Sequence, residues 1–172
     1  MSIINRKTVG IILFWGLFFT GCGYHFAGGG SLPGSIRSIS VSMLENRTAE
    51  TGVESIFTND IIYEITRSKK VLLTSTEKAD ATLTGTIASI RTSIISRSGQ
   101  HTSNEKRIIV TVDLKLADQD GQTIWSAKGI SANEEYEVSS DKQTTEQNRR
   151  DALAELSKRL AENIYSRLTS DF

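Results

Sequence analysis

Between Ile108 and Leu116 every second residue is a large aliphatic: Ile108, Val110, Val112, Leu114 and Leu116, with Thr111, Asp113 and Lys115 on alternate positions. Successive side chains of a strand point to opposite faces, so this spacing demands a sheet with one dry face and one face in water. Asp118 to Gly121 (Asp-Gln-Asp-Gly) is a tight-turn signal. The next strand, Gln122 to about Tyr136, is therefore predicted to fold back as a hairpin with Trp125 buried. Ala81–Ser96 reads as a further long strand rich in Thr and Ile. Its Leu83 and Ile87 share one parity and Ile90 and Ile94 the other, which predicts a bulge or bend near Ala88 and Ser89.

Ser35–Leu44 alternates through Ile39, Val41 and Met43 and reads as a first strand, whereas Val71–Leu73 is too short to assign. Glu45–Glu50 and Ser98–Glu105 are polar and read as loops. Two segments carry helical periodicity instead. Val53, Phe57, Ile61 and Ile65 recur every fourth residue, joined by Ile56 and Ile62. Thr51 and Glu54 form a capping-box pattern ahead of them, and the helix is predicted to end near Ser68, before Lys69 and Lys70. The last helix carries Leu153, Leu156, Leu160, Ile164 and Leu168, with Thr144 and Gln147 as its expected cap. These elements predict an α+β fold: a small mixed or antiparallel sheet of about four strands, with two helices packed on one face.

The amino terminus has a different character. Arg6 and Lys7 precede an eleven-residue apolar run, Val9–Phe19, which is shorter than the ~20 residues needed to cross a bilayer. Thr20 and Gly21 then lead into Cys22, the only cysteine. This order resembles the lipobox of bacterial lipoproteins, with Phe19 where Leu is more usual. The resemblance implies that residues 1–21 are a signal peptide and that Cys22 carries a diacylglyceryl group and fatty acyl chains such as palmitate. Two or more chains make a stable anchor where one does not. Gly23, in place of Asp, implies sorting to the outer membrane.

Residues 22–35 read as a Gly-rich tether, in which Gly23–Ser35 reaches at most roughly 45 Å. Tyr24, His25 and Phe26 interrupt it, either as a docking point or as a few ordered residues before the linker. Residues 36–172 are then expected to form one domain.

Composition narrows the function. Without Arg6 and Lys7, 18 basic residues face 20 acidic ones, a balance that argues against nucleic acid as a partner. A single cysteine excludes an internal disulfide, so a hydrophobic core has to supply the stability. The two histidines, His25 and His101, sit in unlike regions, and no metal-site, P-loop or nucleophile-elbow motif occurs. Neither metal nor cofactor is expected beyond the lipid on Cys22, and no catalytic residue is nominated. Glu134, Glu135 and Glu137 read as a solvated strand end. Arg91, Arg97, His101, Lys106 and Arg107 bring cationic groups to the ends of two strands with Glu105 against them. The planar fork of Arg suits phosphate, so Arg91, Arg97, Lys106 and Arg107 are the candidates for a phosphorylated lipid headgroup. A solvated loop accounts for the same charges.

A strand running into Asn46-Arg47-Thr48, a helix opening Gly-Val-Glu and a Trp-bearing hairpin resemble the lipopolysaccharide-assembly lipoproteins of the LptE family. ISVSMLENRTAETGVESIFTNDIIYEI carries most of the likeness, with support from ADATLTGTI, the strands around Trp125 and the helix after Arg149. The resemblance implies a non-enzymatic outer-membrane protein that plugs the LptD β-barrel and helps place lipopolysaccharide in the outer leaflet. The strand, Asn-x-Thr and helix order also resembles lipoproteins that regulate periplasmic cell-wall synthases or build secretion assemblies.

Overall fold

A computed structural model describes residues 36–95 and 105–170. Cys22, the tether with Tyr24, His25 and Phe26, and the stretch carrying Arg97 and His101 lie outside the described residues.

The elements run β1 (Ser38–Val41), β2 (Glu45–Asn46), α1 (Val53–Ser68), β3 (Leu72–Leu73), β4 (Ala81–Ile95), β5 (Glu105–Asp118), β6 (Thr123–Glu137) and α2 (Lys142–Ser170). One mixed sheet has the order β3-β1-β4-β5-β6, and β2 also pairs with β4. The fold class is therefore as predicted, with six strands in place of about four. The extra strands are β2 and β3, two residues each and parallel to their neighbours. Segments that short carry no alternation to detect.

The β5 pattern does what its spacing demands. Ile108, Val110, Val112, Leu114 and Leu116 are all buried under the helices, and Trp125 on β6 is 6% exposed. The β5–β6 turn is closed by the Asp118 amide donating to the Gln122 carbonyl at 3.0 Å. Gly121 sits there at φ 80°, in the left-handed region that glycine enters at little penalty. The parity change in β4 is a real irregularity: pairing with β5 shifts between Ile87 and Ser89. The extra residue, Ala88, turns both the Leu83–Ile87 set and the Ile90–Ile94 set toward the helices.

Both helices cover one face. Val53, Phe57, Ile61 and Ile65 of α1 are buried together with Leu153, Leu156, Leu160, Ile164 and Leu168 of α2. Ile62 is half-buried, and Ile56, which shared the apolar pattern, is 40% exposed at the rim. Both helix starts differ from expectation. Gly52, at φ 83°, is the N-cap of α1 and supplies no side-chain cap, so the Thr51–Glu54 capping box does not form. Instead the Asn46 amide group holds Glu54 at 2.9 Å. In α2 the cap is Asp141, whose Oδ2 accepts from the Thr144 amide at 2.7 Å and from its hydroxyl at 2.6 Å. The helix thus begins before Thr144. Asp outcompetes Thr for the cap because a charged acceptor bonds the free amides and favours the positive end of the helix dipole.

Candidate functional site

Register assigns every residue of the long strands to a face. The face opposite the helices carries Thr82, Thr84, Thr86, Ser89, Arg91 and Ser93 from β4, paired with Ala117, Lys115, Asp113, Thr111, Ile109 and Arg107 of β5. Ser126, Ser131, Asn133 and Glu135 continue it on β6. Hydroxyls and charges dominate the β4–β6 part of this surface, with Ile95, Ile109 and Ala117 as apolar exceptions and exposed Met43 at its groove. No described element lies over it.

Near the end where β1 begins, the uncovered face holds a groove of about 590 Å³ lined by Glu45, Thr84, Thr86, Asp113, Lys115 and Lys128, among others. Two irregularities of the sheet lie beside it. Gly85 lets β4 approach closely, since a Cβ there would lie 2.3 Å from Leu114 Cδ2 and 2.8 Å from the Asp113 carbonyl oxygen. On β6, Gly129 at φ 68° forms a bulge and donates its amide to Asp113 Oδ1 at 2.7 Å. Glu45 bonds Arg47 in a two-pronged pair at 3.0 Å, and this Arg47 contact holds the Glu45 carboxyl below its ordinary range. Lys115 and Lys128 were not singled out in the sequence, although the alternation of β5 placed Lys115 on this face.

At the far end, the cationic candidates divide. Arg91 faces Ile109 and Ser93 faces Arg107, so Arg91 and Arg107 are diagonal neighbours on the uncovered face, about 7–8 Å apart at that spacing. Arg107 is not opposed by Glu105 alone. It forms an ion pair with Glu135 across β6 at 2.6 Å. Lys106 pairs in register with Ile94 and Tyr136 and so points to the helix side. Arg97 lies outside the described residues. The structure thus brings together two of the four candidates, with a carboxylate beside one of them. The acidic residues are also not merely solvated: Glu134 pairs with Arg159 of α2 at 2.6 Å and Glu135 with Arg107.

The Asn46-Arg47-Thr48 segment has a structural task. Asn46 Oδ1 accepts from the amide and hydroxyl of Thr48 at 2.9 and 2.8 Å, while its Nδ2 donates to the Glu50 carbonyl and to Glu54. Arg149 of α2 pairs with Glu50 from the other side. The motif turns the chain from β2 into α1 and fastens α2 to that turn. The amides at the start of α1, its own first, and then Asn46 hold the Glu54 carboxyl below its ordinary range. Among the described residues no group of His, Cys, Asp and Glu is arranged to hold a metal ion, and no helix is long and apolar enough to cross a membrane.

The family model for LptE, lipopolysaccharide-assembly, matches residues 36–168, the whole of this architecture from before β1 into the last turn of α2. The chain belongs to the LptE family. Solved structures of lipoproteins share the fold. An uncharacterized lipoprotein B from Nitrosomonas europaea superposes with a TM-score of 0.58 at 15% identity, covering 82% of this chain and 86% of that one. A minor lipoprotein from Acinetobacter baumannii gives 0.54 at 18% identity, covering 81% and 94%. The rare lipoprotein B from Shewanella oneidensis gives 0.51 at 13% identity, covering 77% and 95%. No curated protein sequence matches. At such low identities, these likenesses concern the fold, and this LptE-family chain takes its assignment from the family match.

Proposed function

We propose that the protein is an outer-membrane lipoprotein, anchored through Cys22, that sits within an LptD-like β-barrel and helps deliver lipopolysaccharide to the outer leaflet. The observation that carries this reading is the uncovered sheet face. A sheet face left bare for an apolar partner would carry Val, Leu and Phe, whereas this one carries Thr, Ser, Asn and paired charges. The lumen of a large barrel is polar, and a hydroxyl-rich wall suits it. Length supports the same reading. At about 3.3 Å per residue, the 15 residues of β4 extend about 50 Å, close to the ~40–45 Å of a bilayer with its headgroups. The end nearest the anchor and the end bearing Arg91 and Arg107 are then one membrane thickness apart.

In this role the protein is not a catalyst and uses no cofactor beyond its covalent lipid. Arg91 and Arg107, with Arg97 and Lys106 as further candidates, offer guanidinium and ammonium donors to the phosphates of lipopolysaccharide. Capture of the lipidated protein from detergent-solubilised outer membranes tests the assignment. A stoichiometric barrel of the LptD kind is the expected partner, and a periplasmic synthase or secretion ring in its place overturns the transport role. The lipid site is tested by the Arg91→Glu, Arg107→Glu double variant. Lipopolysaccharide affinity is expected to fall with the circular dichroism unchanged, and undiminished affinity removes both residues from the site.

A further inference from the structure

A second patch lies at the opposite end of the sheet, where the chain arrives from Cys22. β3 is the edge strand there, paired with β1, and the Leu72 amide donates to the Arg37 carbonyl at 2.9 Å. Leu72 is 68% exposed, a large aliphatic on an edge strand that the core does not use. Lys69 and Lys70 line one groove of about 500 Å³ with it. Arg37, just before β1, is exposed. Asp80 accepts from the Arg37 and Ser38 amides and the Ser38 hydroxyl, and the Arg37 charge also acts on it. The surface combines a projecting aliphatic side chain with three cations on long apolar stems.

We propose that this edge (Arg37, Lys69, Lys70 and Leu72) rests on the anionic lipid headgroups of the membrane that holds Cys22. The proposal rests on the anchoring described above. Two observations select a lipid surface as the occupant. The patch begins at the first described residues, so the Gly23–Ser35 segment holds it within about 45 Å of the acyl chains at the most. Its composition is that of an interfacial contact: cations meet anionic headgroups while their stems and Leu72 lie against the acyl boundary. The contact need not be strong by itself, since a tether makes it intramolecular and gives it a high effective concentration.

The full lipidated chain carrying Leu72→Trp is incorporated in vesicles of phosphatidylethanolamine and phosphatidylglycerol with brominated acyl chains. Its native Trp125 is buried and serves as the unquenched background. The reporter at position 72 is expected to be quenched and blue-shifted in these vesicles, and far less so in phosphatidylcholine. Adding Lys69→Gln and Lys70→Gln is expected to shift the docked-to-undocked ratio about twenty-five-fold, roughly fivefold for each basic residue near an anionic surface. Flotation of every variant reads the anchor separately. Protein that floats without quenching overturns the docking and leaves the anchor standing, and protein that fails to float overturns both. A blue shift without quenching that appears only when the barrel is supplied assigns the patch to a protein wall and overturns the lipid contact.

Discussion

Ile87 and Ile94 lie on one strand, on the same side of the sheet, yet Ile87 is fully buried and Ile94 is 80% exposed. The two halves of β4 differ in their neighbours. The basal half has β1 and β2 on one side, β5 on the other and α1 nearby, so Ala81, Leu83 and Ile87 are closed in. Beyond the bulge, the distal half keeps β5 alone, and Arg91, Thr92, Ser93 and Ile94 are exposed in succession. Alternation tells a side chain which face to take, and the elements stacked there decide whether that face is dry. The distal stretch of β4 is accordingly a bare edge beside β5 and β6, where Ile108 and Tyr136 stay buried at the same level.

Substitutions along β4 should break the molecule at one end and leave it intact at the other. Ile87→Ala is expected to cost about 2–5 kcal/mol in urea unfolding, the range for truncating a fully buried aliphatic. Gly85→Ala comes next at about 1–3 kcal/mol, because its Cβ would meet the Asp113 carbonyl, a backbone atom that cannot swing aside. A smaller effect belongs to Asp80, whose carboxyl is held below its ordinary range by the Arg37 amide first and then by the Ser38 hydroxyl and amide. A depressed folded-state pKa stabilises above the unfolded value, near 3.9, and that contribution disappears as pH falls through the folded value. Asp80→Asn should therefore flatten part of the loss of stability below about pH 4, measured as urea midpoints at neutral and acid pH.

The distal half should respond weakly. A double-mutant cycle on Arg107 and Glu135 should give about 0.2–1 kcal/mol, as both side chains are more than a third exposed. Ile94→Ala should shift stability by less than about 0.5 kcal/mol. A large loss there would mean that this edge packs as the basal half of β4 does.

The helices, the β5–β6 hairpin and the bulge in β4 were legible because each rests on a local pattern of four or more residues. The caps were less so. Thr51 and Thr144 matched the consensus, yet Gly52 and Asp141 take those positions because turn geometry and charge outweigh a consensus residue type. For the candidate site, the face of Lys106 was readable, since it shares parity with Ile108. The Arg107–Glu135 contact was not. It depends on the β5–β6 register, which shifts at Val112/Leu114 and again at Leu116/Ala117, and no local pattern counts both shifts.

The sheet order ends at β6, and a 15-residue strand there pairs with β5 alone among the described residues. Half of its amides and carbonyls point away from the sheet as a template for any extended chain. Glu134, Glu135 and Glu137, with the bulge at Gly129, make that template a poor match for a second copy of the same strand. The described fold therefore leaves its longest edge strand open to an added strand from a different chain, while discouraging the same contact between two copies.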